Sequence, residues 1–192
     1  MLELNLRGWP DVSTNHALPA NLQDDHHNLA ESTGSEVVIM EYEIVVLEPQ
    51  TTTVVKGALP IAELPRFFQR AYGVLFHTLG RHGIEPLGEP IAFYPSEPSD
   101  IVEVEAGVVV GEEVEPEGEV RASTLPGGRV VTALHVGPYE ALEQTDRAPL
   151  TEMQAAGLAL RPVGMWEQYI TDPSAEPDQS KWQTRIFVPI ES

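Results

Sequence analysis

The sequence predicts an α+β fold in which a strand-helix-strand-strand (βαββ) unit occurs twice. A pseudo-twofold relates the copies, whose strands join in one antiparallel sheet with both helices on one face and a groove at the seam. Three observations lead there. One strongly amphipathic helix stands between strand-like runs, the same order of elements recurs after an acidic linker, and the copies share punctuation. Pro86 matches Pro162, Gly88 matches Gly164 and Phe93 matches Tyr169 at one constant offset.

Residues 1–36 lack sustained periodicity and are rich in Asn, Asp, Ser and Pro, which reads as a poorly ordered N-terminal extension, with Met40 available as an alternative start. The domain is expected over 37–192, its repeats at about 40–115 and 119–192. "EVVIMEYEIVVLE" is β-branched and aromatic, a first strand ending near Pro49. "LPIAELPRFFQRAYGVLFHTLGRHG" places Leu64, Phe67, Phe68, Ala71, Leu75 and Leu79 three and four apart, a helix closing at Gly83. "PIAFYPSEP" and "DIVEVEAGVVV" follow as two strands, the second with Ile101, Glu103 and Glu105 on one face and Val102, Val104 and Ala106 on the other. The linker "VGEEVEPEGEV" is a solvated connection, since its carboxylates lack the regular spacing of a Ca²⁺ loop. The second copy reads as a strand in "VRASTLPGGRVVTALHVG", a helix or two short helices in "PYEALEQTDRAPLTEMQAAG", and strands in "GMWEQYITDP" and "KWQTRIFVPI".

Composition narrows the function. Within 192 residues, 30 acidic groups against 11 basic ones give a formal net charge of −19, which repels phosphate and argues against direct nucleic-acid binding. No apolar run is long enough for a membrane span and no secretory signal opens the chain, so a cytoplasmic protein without membrane contact is expected. The absence of cysteine removes thiolate chemistry, disulfides and Cys-based zinc sites. Among the histidines, His26 and His27 lie in the extension, His77 and His82 are five apart, and His135 is alone on its strand. No metal-binding spacing results, and neither a metal nor a cofactor is expected. There is no Gly-x-Ser-x-Gly elbow and no phosphate loop.

What stands out is a carboxylate in a strand of aromatics. In "GMWEQYITDP" alternation puts Met165, Glu167 and Tyr169 on one face and Trp166, Gln168 and Ile170 on the other. Glu167 is either a structural ion-pair partner, an exposed edge residue, or a group waiting for a ligand. Tyr139, one residue past a Gly-Pro turn, falls where the repeats meet, and Phe93 and Tyr94 occupy the matching strand of the first copy. Trp182 on the last strand and, more weakly, Tyr42 on the first are further aromatic candidates; core packing is the alternative for each.

"EYEIVVLEPQTTTVV", "EVEAGVVV", "LPGGRVVTALHVGPYEAL" and "WEQYITDPSAEPDQSKWQTRIFVPI" together resemble the GyrI-like small-molecule-binding domain, the SOUL-type effector-binding domain of AraC- and MerR-type transcription regulators. The resemblance covers about residues 40–192, and its most distinctive parts are Gly137-Pro138-Tyr139 and the Trp-Glu-x-Tyr strand. It implies a hydrophobic, aromatic-lined cleft with a glutamate at its base for amphipathic, often cationic compounds. That glutamate falls on Glu167, with Trp166, Tyr169, Tyr139, Phe93, Tyr94 and Trp182 as ligand contacts. The helix-turn-helix domain of the regulators has no counterpart in the first 39 residues, which implies a stand-alone member. Two other roles stay open. Some stand-alone relatives hydrolyse strained, cyclopropane-bearing toxins, for which Glu167 and Tyr169 would be the acid/base residues. The name-giving member inhibits DNA gyrase, so an acidic surface meeting a protein partner is the third.

Overall fold

The computed structural model describes residues 42–96, 100–142 and 158–191. Among the described residues the strands are β1 (Tyr42–Leu47), β2 (Gln50–Pro60), β3 (Ile91–Tyr94), β4 (Ile101–Val109), β5 (Val120–Leu125), β6 (Gly128–Val136), β7 (Met165–Tyr169) and β8 (Gln183–Pro189), and the α-helix is α1 (Leu64–His82). They form one eight-stranded antiparallel sheet in the order β1-β6-β8-β7-β3-β4-β2-β5. The expected N-terminal extension, with His26 and His27, and most of the expected second helix, 143–157, lie outside the described residues.

Read from either end, the strand order is symmetric about the β3–β7 seam: β4 corresponds to β8, β2 to β6 and β5 to β1. The run β2-α1-β3-β4 and the strands β6, β7 and β8 are thus each preceded by one further strand. That strand sits on the other unit, β1 beside β6 and β5 beside β2. The exchange shapes the sheet. In a flat sheet β1 and β2, six places apart in the order, would be separated by ~29 Å. Only Glu48 and Pro49 join them, and Leu47 and Gln50 can be no more than ~11 Å apart. Pro126 and Gly127 make the matching crossing from β5 to β6. The sheet must therefore curl until its edges approach. A Cβ on Gly127 would meet the Pro49 ring at 2.6 Å, so the two crossings pack directly on each other.

Curling buries both faces. The concave face closes over Ile91, Phe93, Leu125, Val130 and Trp166, joined by Phe187 and Leu47. The other face carries α1, which buries Phe67, Ala71, Tyr72, Leu75 and Leu79 against Val55, Val104, Ala106 and Val108. Each large apolar side chain so buried contributes roughly 2 kcal/mol. The helix stops at Gly83, whose φ of 65° is the left-handed conformation that ends a helix and that glycine adopts freely.

Two readings of the sequence needed refinement. The run 50–60 forms β2, a strand not anticipated between Pro49 and the helix, and 120–136 divides at Pro126-Gly127 into β5 and β6. Glu105 shares a strand face with Ile101 and Glu103, yet it is buried, bonded by Lys56 and Ser123 at 2.6 Å each. Among the described residues no helix is long and apolar enough to cross a membrane.

Candidate functional site

The site grows from the start of β7. Gly164, at φ 84°, passes so close to the end of β3 that a Cβ there would collide with the Tyr94 carbonyl and Pro95. A residue without a side chain brings β7 into register with β3, pairing Ala92 with Glu167 and Phe93 with Trp166. A twofold normal to a sheet keeps each residue on its own face, so the symmetry mate of Tyr169 is Tyr94 rather than Phe93, and the axis passes through the Ala92–Glu167 pair. Sequence punctuation alone had matched Tyr169 with Phe93. The small Ala92 beside it leaves room for the glutamate side chain at the centre of the seam.

Glu167 is 5% exposed and points to the α1 face. The Tyr169 hydroxyl donates to its Oε2 at 2.7 Å, and the Tyr94 hydroxyl lies 3.4 Å from the same oxygen. Further rings converge from three places in the chain. Phe68 and Tyr72 come from α1, Tyr139 from the 3₁₀ turn that follows β6, and Trp182 from the entry to β8. Tyr139 packs on Trp182 at 4.7 Å between centroids and edge-on against Tyr169 at 5.4 Å; Phe68 meets Tyr169 edge-on at 6.2 Å and stacks on Tyr72 at 5.9 Å. The polar ends are tied down. Tyr72 donates to the Ile91 carbonyl, the Trp182 indole to that of Glu176, both at 2.8 Å, and the Gly137 amide to that of Trp182. His135, buried behind this turn, lies 3.3 Å through Nε2 from the Pro138 carbonyl.

Electrostatics follow from burial. Desolvation holds the Tyr72 and Tyr169 phenols well above their ordinary range, and the Glu167 charge raises both further. Burial raises Tyr139 as well, helped by Asp172 and then Glu167. All three stay protonated at neutral pH, and Tyr72 and Tyr169 serve as hydrogen-bond donors. The negative field of Glu167, felt at all of them, adds to the negative faces of the rings.

Of the residues singled out in the sequence, the fold gathers Glu167, Tyr169, Tyr94, Tyr139 and Trp182. Trp166 and Phe93 lie on the concave face, where Trp166 stacks on Phe187 at 5.0 Å. Tyr42 packs beside Val131 and Ile186. Phe68 was legible as an apolar helix position but not as part of a site, and Tyr72 was missed. Their signal was the spacing by four of Phe68, Tyr72 and Phe76, an aromatic stripe flanking the apolar one. Among the described residues no group of His, Asp and Glu is arranged to hold a metal ion.

The sequence model of the GyrI-like small-molecule-binding domain matches residues 40–191. No curated protein matches the chain in sequence. Among solved structures, the C-terminal domain of EcmrR superposes with a TM-score of 0.68 at 17% identity, covering 81% of this chain and 99% of that one. SAV2435 bound to tetraphenylphosphonium gives 0.62 at 16% identity, over 80% and 95%. A Listeria innocua protein described as a hydrolase gives 0.55 at 14% identity, over 78% and 91%. At these identities the structures share the fold. A sequence match running from the strand exchanged at β1 to the end of β8, on a sheet symmetric about its central seam, makes this chain a member of the GyrI-like small-molecule-binding domain family.

Proposed function

We propose that the protein binds apolar organic cations at the β3–β7 seam, with Glu167 as the counter-charge and Tyr94, Tyr139, Tyr169, Tyr72, Phe68 and Trp182 as the walls. The observation that carries this reading is the buried Glu167 carboxylate, held at 2.7 Å by Tyr169 and surrounded by aromatic rings. A carboxylate taken out of water favours a ligand that returns a positive charge to it, and aromatic faces favour the same ligand. The binding of tetraphenylphosphonium by SAV2435, which shares the fold, supports that ligand class. Because Glu167 is 5% exposed, an incoming ligand must part the rings above it.

Tetraphenylphosphonium and tetraphenylborate have nearly the same shape and opposite charge, which makes them a direct test. Calorimetric titration should show the cation binding and the anion excluded. Equal affinity for the two would mean that the site reads shape alone, and the proposal fails.

The Tyr169–Glu167 hydrogen bond at 2.7 Å supports a second reading, hydrolysis of a strained electrophile with Glu167 acting on water and Tyr169 as its positioned donor. Mass-spectrometric turnover of a cyclopropane-bearing electrophile separates the two. Catalysis predicts that Glu167→Gln lowers turnover by roughly 10²–10⁴-fold with substrate binding retained, and that Tyr169→Phe loses less.

A further inference from the structure

The outer face of α1 carries a second feature, remote in role from the seam. In a chain with 30 acidic residues and 11 basic ones, the 19 residues of α1 contain no Asp or Glu. Arg70, Gly73, Val74, His77 and Arg81 fall on one stripe of this helix and, with Glu117 opposite, line an open groove of about 440 Å³. The basic side chains of this face already hold carboxylates. Arg81 and His82 each reach Glu117 at 2.6 Å, and Arg70 is paired with Glu119. Arg81 and His82 also complement the helix dipole at its C-terminus, but Arg70 and His77 stand in earlier turns and gain nothing from it.

Gly73 makes the floor. Glycine weakens a mid-helix position relative to alanine. A Cβ at Gly73 would meet no atom within 4 Å, so no neighbour requires glycine there. The missing side chain keeps the groove open between Arg70 and His77.

The geometry points to this groove as a binding site for small organic anions, a carboxylate or phosphate on an apolar body, with the oxyanion replacing Glu117 at Arg81 and His82. The apolar body lies on Gly73 and Val74, and Arg70 and His77 flank it. Glu117 is the internal competitor that weakens binding until the ligand displaces it.

The test is calorimetric titration of the full chain at low salt with 2-naphthoate and 1-naphthyl phosphate, the two arms separating carboxylate from phosphate preference. Glu117→Gln frees the Arg81 guanidinium and the His82 ring nitrogen and is expected to tighten binding on the order of ten-fold over wild type. Gly73→Leu fills the floor, and the double variant Glu117→Gln/Gly73→Leu should lose binding. Should Gly73→Leu disturb folding, Arg70→Gln/His77→Gln in the Glu117→Gln background tests the same walls. Tetraphenylphosphonium affinity, read in parallel, should not move, because none of these side chains enters the seam. No saturable binding by Glu117→Gln, or binding that persists when the floor is filled or the flanking Arg70 and His77 are replaced, overturns the assignment.

Discussion

Replacing Glu167 by Gln removes a charge while keeping nearly the same shape. The amide oxygen can still accept the Tyr169 hydroxyl bond that the carboxylate accepts at 2.7 Å, so the rings should keep their places. For a phosphonium or ammonium whose charge rests ~6 Å from the carboxylate, Coulomb's law at an effective dielectric of ~20 gives about 3 kcal/mol. Part of that is offset because tyrosine hydroxyls already stabilise the anion and because the ligand sheds its own hydration. A net loss of about 1–3 kcal/mol remains, roughly a 5- to 150-fold rise in Kd for tetraphenylphosphonium. The same substitution should admit tetraphenylborate, which the wild-type charge repels. Calorimetry with both ligands on both proteins gives four affinities, and only the change of preference with the charge supports the argument. Folding should survive, since removing a charge at 5% exposure also removes its desolvation penalty. Unchanged cation affinity in Glu167→Gln, or a loss of stability of several kcal/mol, would refute the reasoning and make Glu167 a structural residue.

Gly164→Ala should destabilise the fold by more than about 2 kcal/mol in chemical denaturation, because the new Cβ collides with the Tyr94 carbonyl at a φ of 84° that alanine resists; a near-neutral result would show that β7 can shift along β3. Tyr72, Tyr139 and Tyr169, whose phenols are raised in the folded chain, favour the fold fully below the ordinary tyrosine value of 10.0 and progressively less as pH rises above it. Ultraviolet titration should therefore show their phenolate absorbance only as the chain unfolds, and ionisation with the fold intact would contradict their burial. Glu117, lowered from 4.5 chiefly by its hydrogen bond from His82, favours the folded state above that value and loses the contribution as pH falls through its folded pKa. Melting temperatures of Glu117→Gln should accordingly fall less steeply below pH 4.5 than those of wild type, and parallel curves would deny the carboxylate this role.

Much of the architecture is local and was open to reading. The three-and-four spacing from Leu64 to Leu79 and the glycine after His82 specify α1 with its end, because helical period and cap chemistry act within a few residues. The alternation around Glu167 placed Glu167 and Tyr169 on one strand face and Trp166 on the other, since a strand's period of two is equally local. The ligand class was suggested by resemblance to a family, which the match over 40–191 establishes.

What the chain pattern could not supply is which distant strands pair beyond the seam, and in what register. Strand exchange at β1 and β5 depends on which edges meet, and a run such as "QTTTVVKGALP" carries no sign of its partner. The alignment of Phe93 with Tyr169 was one residue out of phase on the strands because matched turns do not fix pleat phase; only the Ala92–Glu167 pairing does. Phe68 and Tyr72 join the site because α1 crosses the seam, a consequence of packing that helical periodicity leaves undetermined. The carboxylate was visible in the sequence, but the rings that enclose it come from α1, the turn after β6, β7 and the start of β8, and the burial that gives them chemical force is created by tertiary contact.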